Sequence, residues 1–375
     1  MSDKKLKIAV IFGGRSGEHA VSLQSARFVL SQLSPDRYEI TQIGISRQGD
    51  WFVASEDQPD VLAALLAEDT SKLTPALILP VPSRQGVFSL QGADHLELLS
   101  DLDVVFPVLH GTFGEDGTLQ GLLEMSDLAY VGPGVAGSAV GMDKMLFFDV
   151  MRANNIPVVE TILVLRSELE KNSAVALDRV EAGLETYPMF VKPANLGSSV
   201  GISKVENRSD LIEGLMEAAA YDRRVVVQRG LNVREIEVSV IGNDDPRASV
   251  CGEVLPGEEF YSYEAKYHDV SSTTVIPADL PEATAEQIRN LAVKAYKACD
   301  LAGLARVDFF LDKDSGEIYL NELNTIPGFT EISMYPILWE ASNLSNQELV
   351  DQLVAYALER KAQRDATKRT FERNG

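Results

Sequence analysis

Two short segments late in the chain, Arg306-Val307-Asp308 and Glu322-Leu323-Asn324, constrain the fold more than any other feature. Both lie in stretches rich in strand-forming residues. Lys313-Asp314-Ser315-Gly316-Glu317 between them reads as a turn, so the pair predicts an antiparallel hairpin. With the turn centred on Ser315, Asp308 faces Glu322 and Arg306 faces Asn324, and the period of two places all these side chains on one face. Opposed carboxylates repel unless a cation lies between them, and the all-oxygen set Asp308, Glu322 and Asn324 suits Mg²⁺ held jointly with substrate phosphates. A solvated polar face is the plainer reading of the same residues, and a bulge in the hairpin would undo the register.

At 375 residues the chain is too long for one ordinary core, so two or three domains are expected. Residues 6–12 read as a buried strand, Gly13-Gly14-Arg15-Ser16-Gly17-Glu18 as a glycine-rich turn, and residues 21–33 as an amphipathic helix. Such a strand-loop-helix opening is typical of parallel α/β sheets. A second strong strand at 104–109 runs into the turn-forming loop from His110 to Gly117, and a short strand is expected near Tyr130. Beyond Asp143 the pattern changes to a helix at 144–153 and strands at 158–165, 189–192, 200–205 and 225–228, a small α+β unit. From about Glu235 follow strands at 236–241, 248–254, 305–311 and 318–323, a long helix at 285–299 and a charged terminal helix at 346–364.

Charge narrows the function classes. A net charge of -22 and a pI near 4.6 argue against a general nucleic-acid binder, which needs a basic face to replace counterions on phosphate. An anionic substrate must therefore meet locally placed Lys and Arg. The two cysteines, Cys251 and Cys299, lack metal-type spacing and read as free buried thiols of a reducing compartment. The apolar run at 8–12 is too short for a signal-peptide core, and no stretch approaches the roughly 18 apolar residues of a membrane span. A cytoplasmic protein without a membrane partner is expected.

Other segments carry chemistry less sharply. Val191-Lys192-Pro193-Ala194-Asn195-Leu196-Gly197-Ser198-Ser199-Val200-Gly201 places a lysine at a strand end before a small-residue loop that can lay backbone N–H groups and hydroxyls against phosphate, although a plain hairpin has the same look. The loop is not a Walker A motif, and the glycines at 13–17 do not fit G-x-G-x-x-G, so a nicotinamide-dinucleotide enzyme is weakly supported. Glu18 could bind an ammonium group or cap the following helix. His110 and Gly114-Glu115-Asp116-Gly117 could be catalytic or a tight turn.

Taken in order, these segments resemble the D-alanine-D-alanine ligases of the ATP-grasp superfamily over nearly the whole chain. The carriers are Phe12 to His19, His110 to Gly121, Met142-Asp143-Lys144, Val191 to Gly201, Arg234-Glu235-Ile236-Glu237, Tyr263 to Tyr267, Arg306 to Asp308, and Asn321 to Gly328. The resemblance implies a three-domain fold, part α/β and part α+β. Its N-terminal parallel α/β domain is expected at 1–143, with ATP held between antiparallel sheets of a central subdomain at 144–235 and a C-terminal subdomain at 236–375. It implies ATP and two Mg²⁺ ions, with Mn²⁺ as a possible substitute, D-alanine as substrate, and a homodimer.

By position, the resemblance gives Lys144, Lys192 and Lys266 the phosphates, Glu235 the ribose, Phe260 and Phe310 the adenine faces, and Leu231 backbone contacts to the base. Asp308, Glu322 and Asn324 match the metal ligands. Gln228-Arg229-Gly230 departs from the usual pattern, because Gln228 stands where the family commonly has Glu accepting from the adenine amino group. An amide can donate as well as accept, which weakens discrimination against guanine. Glu18, helped by His110, is implied to hold the first ammonium; Ser333 and Lys266 the second carboxylate; Arg306 and the Gly328 N–H the tetrahedral oxyanion. Tyr267 and Ser198 are implied to link a lid at 258–269 to Glu18, and Tyr267 favours an amine over D-lactate as nucleophile. Ligases that make D-alanyl-D-lactate or D-alanyl-D-serine, and a non-catalytic nucleotide-binding relative, are the alternatives.

Overall fold

A computed structural model of the chain describes residues 4–91, 95–197, 200–255 and 273–368. The opening strand β1 (Leu6–Gly13) has an apolar core buried on both faces, as expected of a strand in the middle of a parallel sheet. It lies between β2 (Tyr38–Ile45) and β7 (Val104–Val108), parallel to both, and β8 (Ala129–Tyr130) continues the parallel run. On the far side of β2 the chain turns back through β3 (Trp51–Val53), β4 (Thr74–Ile78), β5 (Gly86–Gln91) and β6 (His95–Asp101), each antiparallel to its neighbour. The sheet is thus eight-stranded and mixed, in the order β6-β5-β4-β3-β2-β1-β7-β8, rather than wholly parallel. Only a short turn, closed by the Ser46 N–H on the Asp50 carbonyl at 2.8 Å, joins β2 to β3. A parallel pair would need a crossover of a dozen or more residues.

Three helices pack on this sheet, α1 (His19–Gln32), α2 (Val61–Leu66) and α3 (Thr118–Met125), whereas α4 (Val135–Met142) leaves it to pack beside the last strand of the third unit. The chain then builds a second unit from α5 (Lys144–Ala153), β9 (Thr161–Leu165), α6 (Arg166–Leu184), β10 (Met189–Pro193), β11 (Ser203–Val205), α7 (Arg208–Tyr221) and β12 (Arg224–Arg229). Its four strands, in the order β11-β10-β12-β9, pair antiparallel throughout. Val180 of α6 and Leu211 and Leu215 of α7 close its core on Val191 and Val227. Two strands start later than expected: Val158 makes an isolated bridge to Leu320, and Val200 stands in a turn.

The third unit is a five-stranded antiparallel sheet, β15-β14-β13-β16-β17. It comprises β13 (Val233–Gly242), β14 (Arg247–Leu255), β15 (Thr273–Val275), β16 (Gly303–Asp312) and β17 (Ile318–Asn324), with α8 (Glu282–Ala298) and α9 (Met334–Ala341) both packed on β13 and β14. The last helix, α10 (Asn346–Asp365), starts at a capping box of Ser345 and Glu348. It returns to the first sheet, where Leu349, Leu353 and Val354 join one core with Ile8, Val10 and Phe28. Among the described residues no helix is long and apolar enough to cross a membrane.

Candidate active site

The β16–β17 hairpin pairs Arg306 with Asn324 and Asp308 with Glu322, as the sequence predicts. Nearer the turn the register differs by one: Phe309 faces Leu320 and Leu311 faces Ile318, so a bulge intervenes. The cause lies in core spacing. Ile318 and Leu320 are two apart and Leu323 is three beyond, yet all point into the same core, so one extra residue must be absorbed. The bulge turns Glu322 and Asn324 to the polar face beside Asp308.

The cation needed between the opposed carboxylates is present in the protein itself. Arg306 donates from Nε to Asp308 Oδ1 and from Nη2 to Oδ2, both at 2.8 Å, and the Lys144 ammonium lies 3.6 Å from Glu322 Oε1. Asn324 Nδ2 donates to Asp308 Oδ2 at 2.9 Å. A second carboxylate approaches Arg306 from β13: Glu237, opposite Asp308 in the sheet and buried, has Oε2 2.9 Å from Arg306 Nε. Burial works against the Arg306 charge, but Asp308 and Glu237 outweigh it and hold the guanidinium protonated. In the sequence Glu237 belongs to the Arg234-Glu235-Ile236-Glu237 segment that carries the resemblance, but no role attaches to it there.

Among the described residues no three His, Cys, Asp or Glu side chains converge as a metal cluster. The donor set on the hairpin is two carboxylates and one amide, all oxygen. That fits Mg²⁺, which takes one or two carboxylates and fills its remaining positions with water and substrate phosphate.

Glu18 precedes α1 but its side chain makes no capping bond, so the capping alternative falls away. Its carboxylate instead lies against Gly111 and Gly197, where an added Cβ would come within 2.3 and 3.0 Å of Oε2. Gly111 also has φ +72°, so glycine is required there on two grounds. The loop that carries Glu18, the 110–117 loop and Gly197 thereby converge on one carboxylate.

His110 is buried, and both ring nitrogens are occupied by the protein. Nδ1 donates to the Ile326 carbonyl at 2.9 Å, and Nε2 lies 2.9 Å from the Ser25 hydroxyl, which also accepts from the Phe329 N–H at 3.1 Å. Burial lowers its pKa against the pull of Glu18 and the Ile326 carbonyl, so the ring is neutral and Nε2 accepts from Ser25. Glu115 makes a parallel tie: Oε2 accepts from the Gly111 N–H at 2.6 Å and Oε1 from the Ile326 N–H at 3.0 Å. Both side chains fasten the 110–117 loop to the segment that follows β17. Gly328 and Ser333 end that segment, with the Ser333 hydroxyl 2.9 Å from the Thr330 N–H and close to Gly328.

In the second unit, Lys144 Nζ donates to the Leu196 carbonyl at 2.8 Å, and Lys192 Nζ to Gln228 Oε1 at 2.8 Å. Gln228 is buried, and its acceptor oxygen is the atom that meets Lys192. Arg229 pairs outward with Glu160 at 2.8 Å, and Leu231 follows in the half-buried link to β13. Glu235 stands opposite Phe310 in the sheet. Ser198, Phe260, Lys266, Tyr267 and the expected lid at 258–269 lie outside the described residues.

A single cavity gathers Glu18 and His110 from the first unit with Glu235, Arg306, Asp308 and Phe310 from the third sheet. Glu322, Asn324, Gly328 and Ser333 line it too, as do Glu115, which the sequence leaves between a catalytic role and a tight turn, and Glu237, to which it gives no role. Lys144, Lys192, Gln228, Arg229 and Leu231 are not on its wall, although Lys144 reaches it through Glu322.

Residues 7–133 match the family described as D-ala D-ala ligase N-terminus, and residues 150–355 that described as D-ala D-ala ligase C-terminus. The chain is 47% identical over 357 residues to the D-alanine–D-alanine ligase of Thermoanaerobacter sp. (strain X514), covering 95% of this chain and 97% of that protein. Against the D-alanine–D-alanine ligase of Acetivibrio thermocellus the identity is 45% over 371 residues, covering 96% and 97%. Two solved structures are similar throughout. The VanG D-Ala:D-Ser ligase of Enterococcus faecalis superposes with a TM-score of 0.84 at 35% identity, covering 94% of this chain and 100% of that one. The D-alanine-D-alanine ligase of Coxiella burnetii gives 0.80 at 36%, covering 96% and 97%. With both halves of the family matched in order and relatives at 45% and 47% identity over nearly the whole length, the chain belongs to the D-alanine–D-alanine ligase family and shares its ATP-grasp fold.

Proposed function

We propose that this chain joins two D-alanine molecules at the expense of ATP, supplying a precursor for peptidoglycan. The carboxylate of the first D-alanine attacks the γ-phosphate, releasing ADP and leaving an acyl phosphate. The amine of the second attacks the acyl carbon, phosphate departs with its bonding pair, and the amine loses a proton. The observation that carries this reading is one cavity lined by the Glu18 carboxylate, a buried guanidinium, Arg306, and the oxygen donors of the β16–β17 hairpin.

Within it Glu18 holds the first ammonium, while His110, with both nitrogens engaged, keeps the surrounding loop in place. Arg306 and the Gly328 N–H face the tetrahedral oxyanion, where preorganised donors lower the barrier most. Ser333 and Lys266 receive the second carboxylate, and Ser198 and Tyr267 join the Glu18 end. Lys144 and Lys192 bind phosphates, Glu235 the ribose, Phe260 and Phe310 the adenine faces, and Gln228, Arg229 and Leu231 the base edge. Asp308, Glu322 and Asn324 would hold Mg²⁺, as two ions replaceable by Mn²⁺, which would supply positive charge against the transferring phosphates.

A homodimer is proposed from the exposed apolar residues Phe113, Met125 and Val135 around α3 and the start of α4. A cytoplasmic site of action follows from the need for ATP.

The D-Ala:D-Ser ligase among the structural relatives supports a second reading, ligation to D-serine. Product analysis with ATP, Mg²⁺ and equal D-alanine, D-serine and D-lactate separates the two. D-alanyl-D-alanine is the expected main product. A majority of D-alanyl-D-serine or of the ester would replace this substrate assignment, and ADP release without any amino acid would remove the ligase reading.

A further inference from the structure

Glu237 lies on the same sheet face as the site but is not part of the donor set, and its burial needs an explanation. Three neighbouring strands place Glu237, Asp308 and Glu322 in one row, with Ser239, Arg306 and Asn324 in the next. Side chains within such rows and along their diagonals are in reach of one another. Arg306 is therefore shared as a charge: its single Nε–H is donated to Asp308 Oδ1 at 2.8 Å, and Glu237 Oε2 makes an ion-pair contact with the same nitrogen at 2.9 Å. The side chains of all three are largely withdrawn from water, with exposures of 19% for Arg306, 13% for Asp308 and 11% for Glu237. A carboxylate so buried is costly unless its charge is used.

Sharing matters because Asp308 has two claims on it. Both of its oxygens accept from Arg306, and the same oxygens are those offered to a divalent ion. Once Asp308 turns to a metal, the guanidinium loses its bidentate partner at the stage when it must be aligned on a developing oxyanion. Glu237 reaches Arg306 from the opposite strand and has no place in the metal's donor set, so it can keep hold throughout.

We propose that Glu237 is a positioning residue that anchors Arg306 while Asp308 is given up to the metal. This rests on the ligase reading above. Without Glu237, Arg306 relies on Asp308 alone, so metal binding and guanidinium alignment compete for one carboxylate. With it, the two are compatible.

The test combines a mutant cycle with a binding measurement that needs no turnover. In the otherwise natural enzyme, Glu237→Gln is expected to lower kcat by about tenfold or more at saturating substrates and Mg²⁺, within the coupling range of residues in one ion-pair network. In an Arg306→Met background, or Arg306→Lys should the first not fold, the same change is expected to alter kcat by less than about twofold. Mn²⁺ binding to the ADP-loaded protein, read from the EPR signal of the free ion, is expected to weaken by about tenfold in Glu237→Gln and not to weaken in Arg306→Met. Additive kcat losses in the cycle, or Mn²⁺ affinity and kcat both unchanged with only the unfolding temperature lowered, overturn the proposal. So does a loss of Mn²⁺ affinity of about a thousandfold that persists without Arg306, which would make Glu237 a ligand. Inactivity of the natural protein with D-alanine and ATP would strike the ligase reading instead, and the Mn²⁺ measurement would still decide the role of Glu237.

Discussion

Asp308 and Glu322 were paired in sequence as repelling carboxylates, and the structure gives each its own cation. The two are therefore not equivalent under mutation. Asp308→Asn loses a bidentate bond to a buried guanidinium and is expected to lower stability by about 1 to 3 kcal/mol. Glu322→Gln loses a looser pair to Lys144 at 3.6 Å and is expected to cost less than about 1 kcal/mol. Both are expected to abolish ligation. Urea unfolding with Mg²⁺ absent reads the first difference, and equal midpoints for the two variants would show that Arg306 does not depend on Asp308. Arg306→Met should retain ADP binding and lose turnover by an amount equivalent to roughly 2.7 to 4 kcal/mol or more. Calorimetric ADP affinity beside kcat separates the two, and a parallel fall would reassign Arg306 to the nucleotide.

At the scale of elements, the spacing of Arg306, Asp308, Glu322 and Asn324 made the hairpin legible, because period-two alternation survives in any strand. The bulge, which the sequence reading takes as undoing the register, instead sets the pairing of Asp308 with Glu322, and the switch from Leu320 to Leu323 records it. The tying roles of Glu115 and Glu237 are not legible for another reason: Ile326, a partner of Glu115, and Arg306, the partner of Glu237, are 211 and 69 positions away, and no local pattern carries such contacts. Strands β3 to β6 are short and only partly apolar, so they left little period to read. Burial, together with the Glu18 charge, pushes the Glu115 carboxyl up to about 8, although the N–H groups of Gly111 and Ile326 pull it down. Its ordinary value is 4.5, so between these limits the folded state holds a proton that the unfolded chain has released. The corresponding stability is complete below about pH 4.5 and is lost as pH rises through about 8. Glu115→Gln is expected to flatten that slope. It should also destabilise the protein by about 1 to 3 kcal/mol, since an amide NH₂ would face one of the two N–H donors. Unfolding temperatures near pH 5 and pH 8, at the ends of that window, check this, and an unchanged slope in the variant would place the titration elsewhere.

The whole molecule depends on the chain's end returning to its beginning. Leu353 of α10 is fully buried against the first sheet, so Leu353→Ala is expected to cost about 2 to 5 kcal/mol, read as a lower urea midpoint. A change below about 0.5 kcal/mol would mean that α10 is not part of that core. The same closure brings Glu18, carried ahead of α1, to the cavity wall shared with Arg306 and Gly328, so one carboxylate can be activated and attacked without leaving the site. That sequence of events has a direct signature in the fate of an oxygen atom. With D-alanine labelled in its carboxylate by heavy oxygen, activation through an acyl phosphate must move one labelled oxygen into inorganic phosphate for each peptide bond formed. Mass analysis of the phosphate is expected to show that single transfer, and unlabelled phosphate accompanying full dipeptide yield would contradict the account.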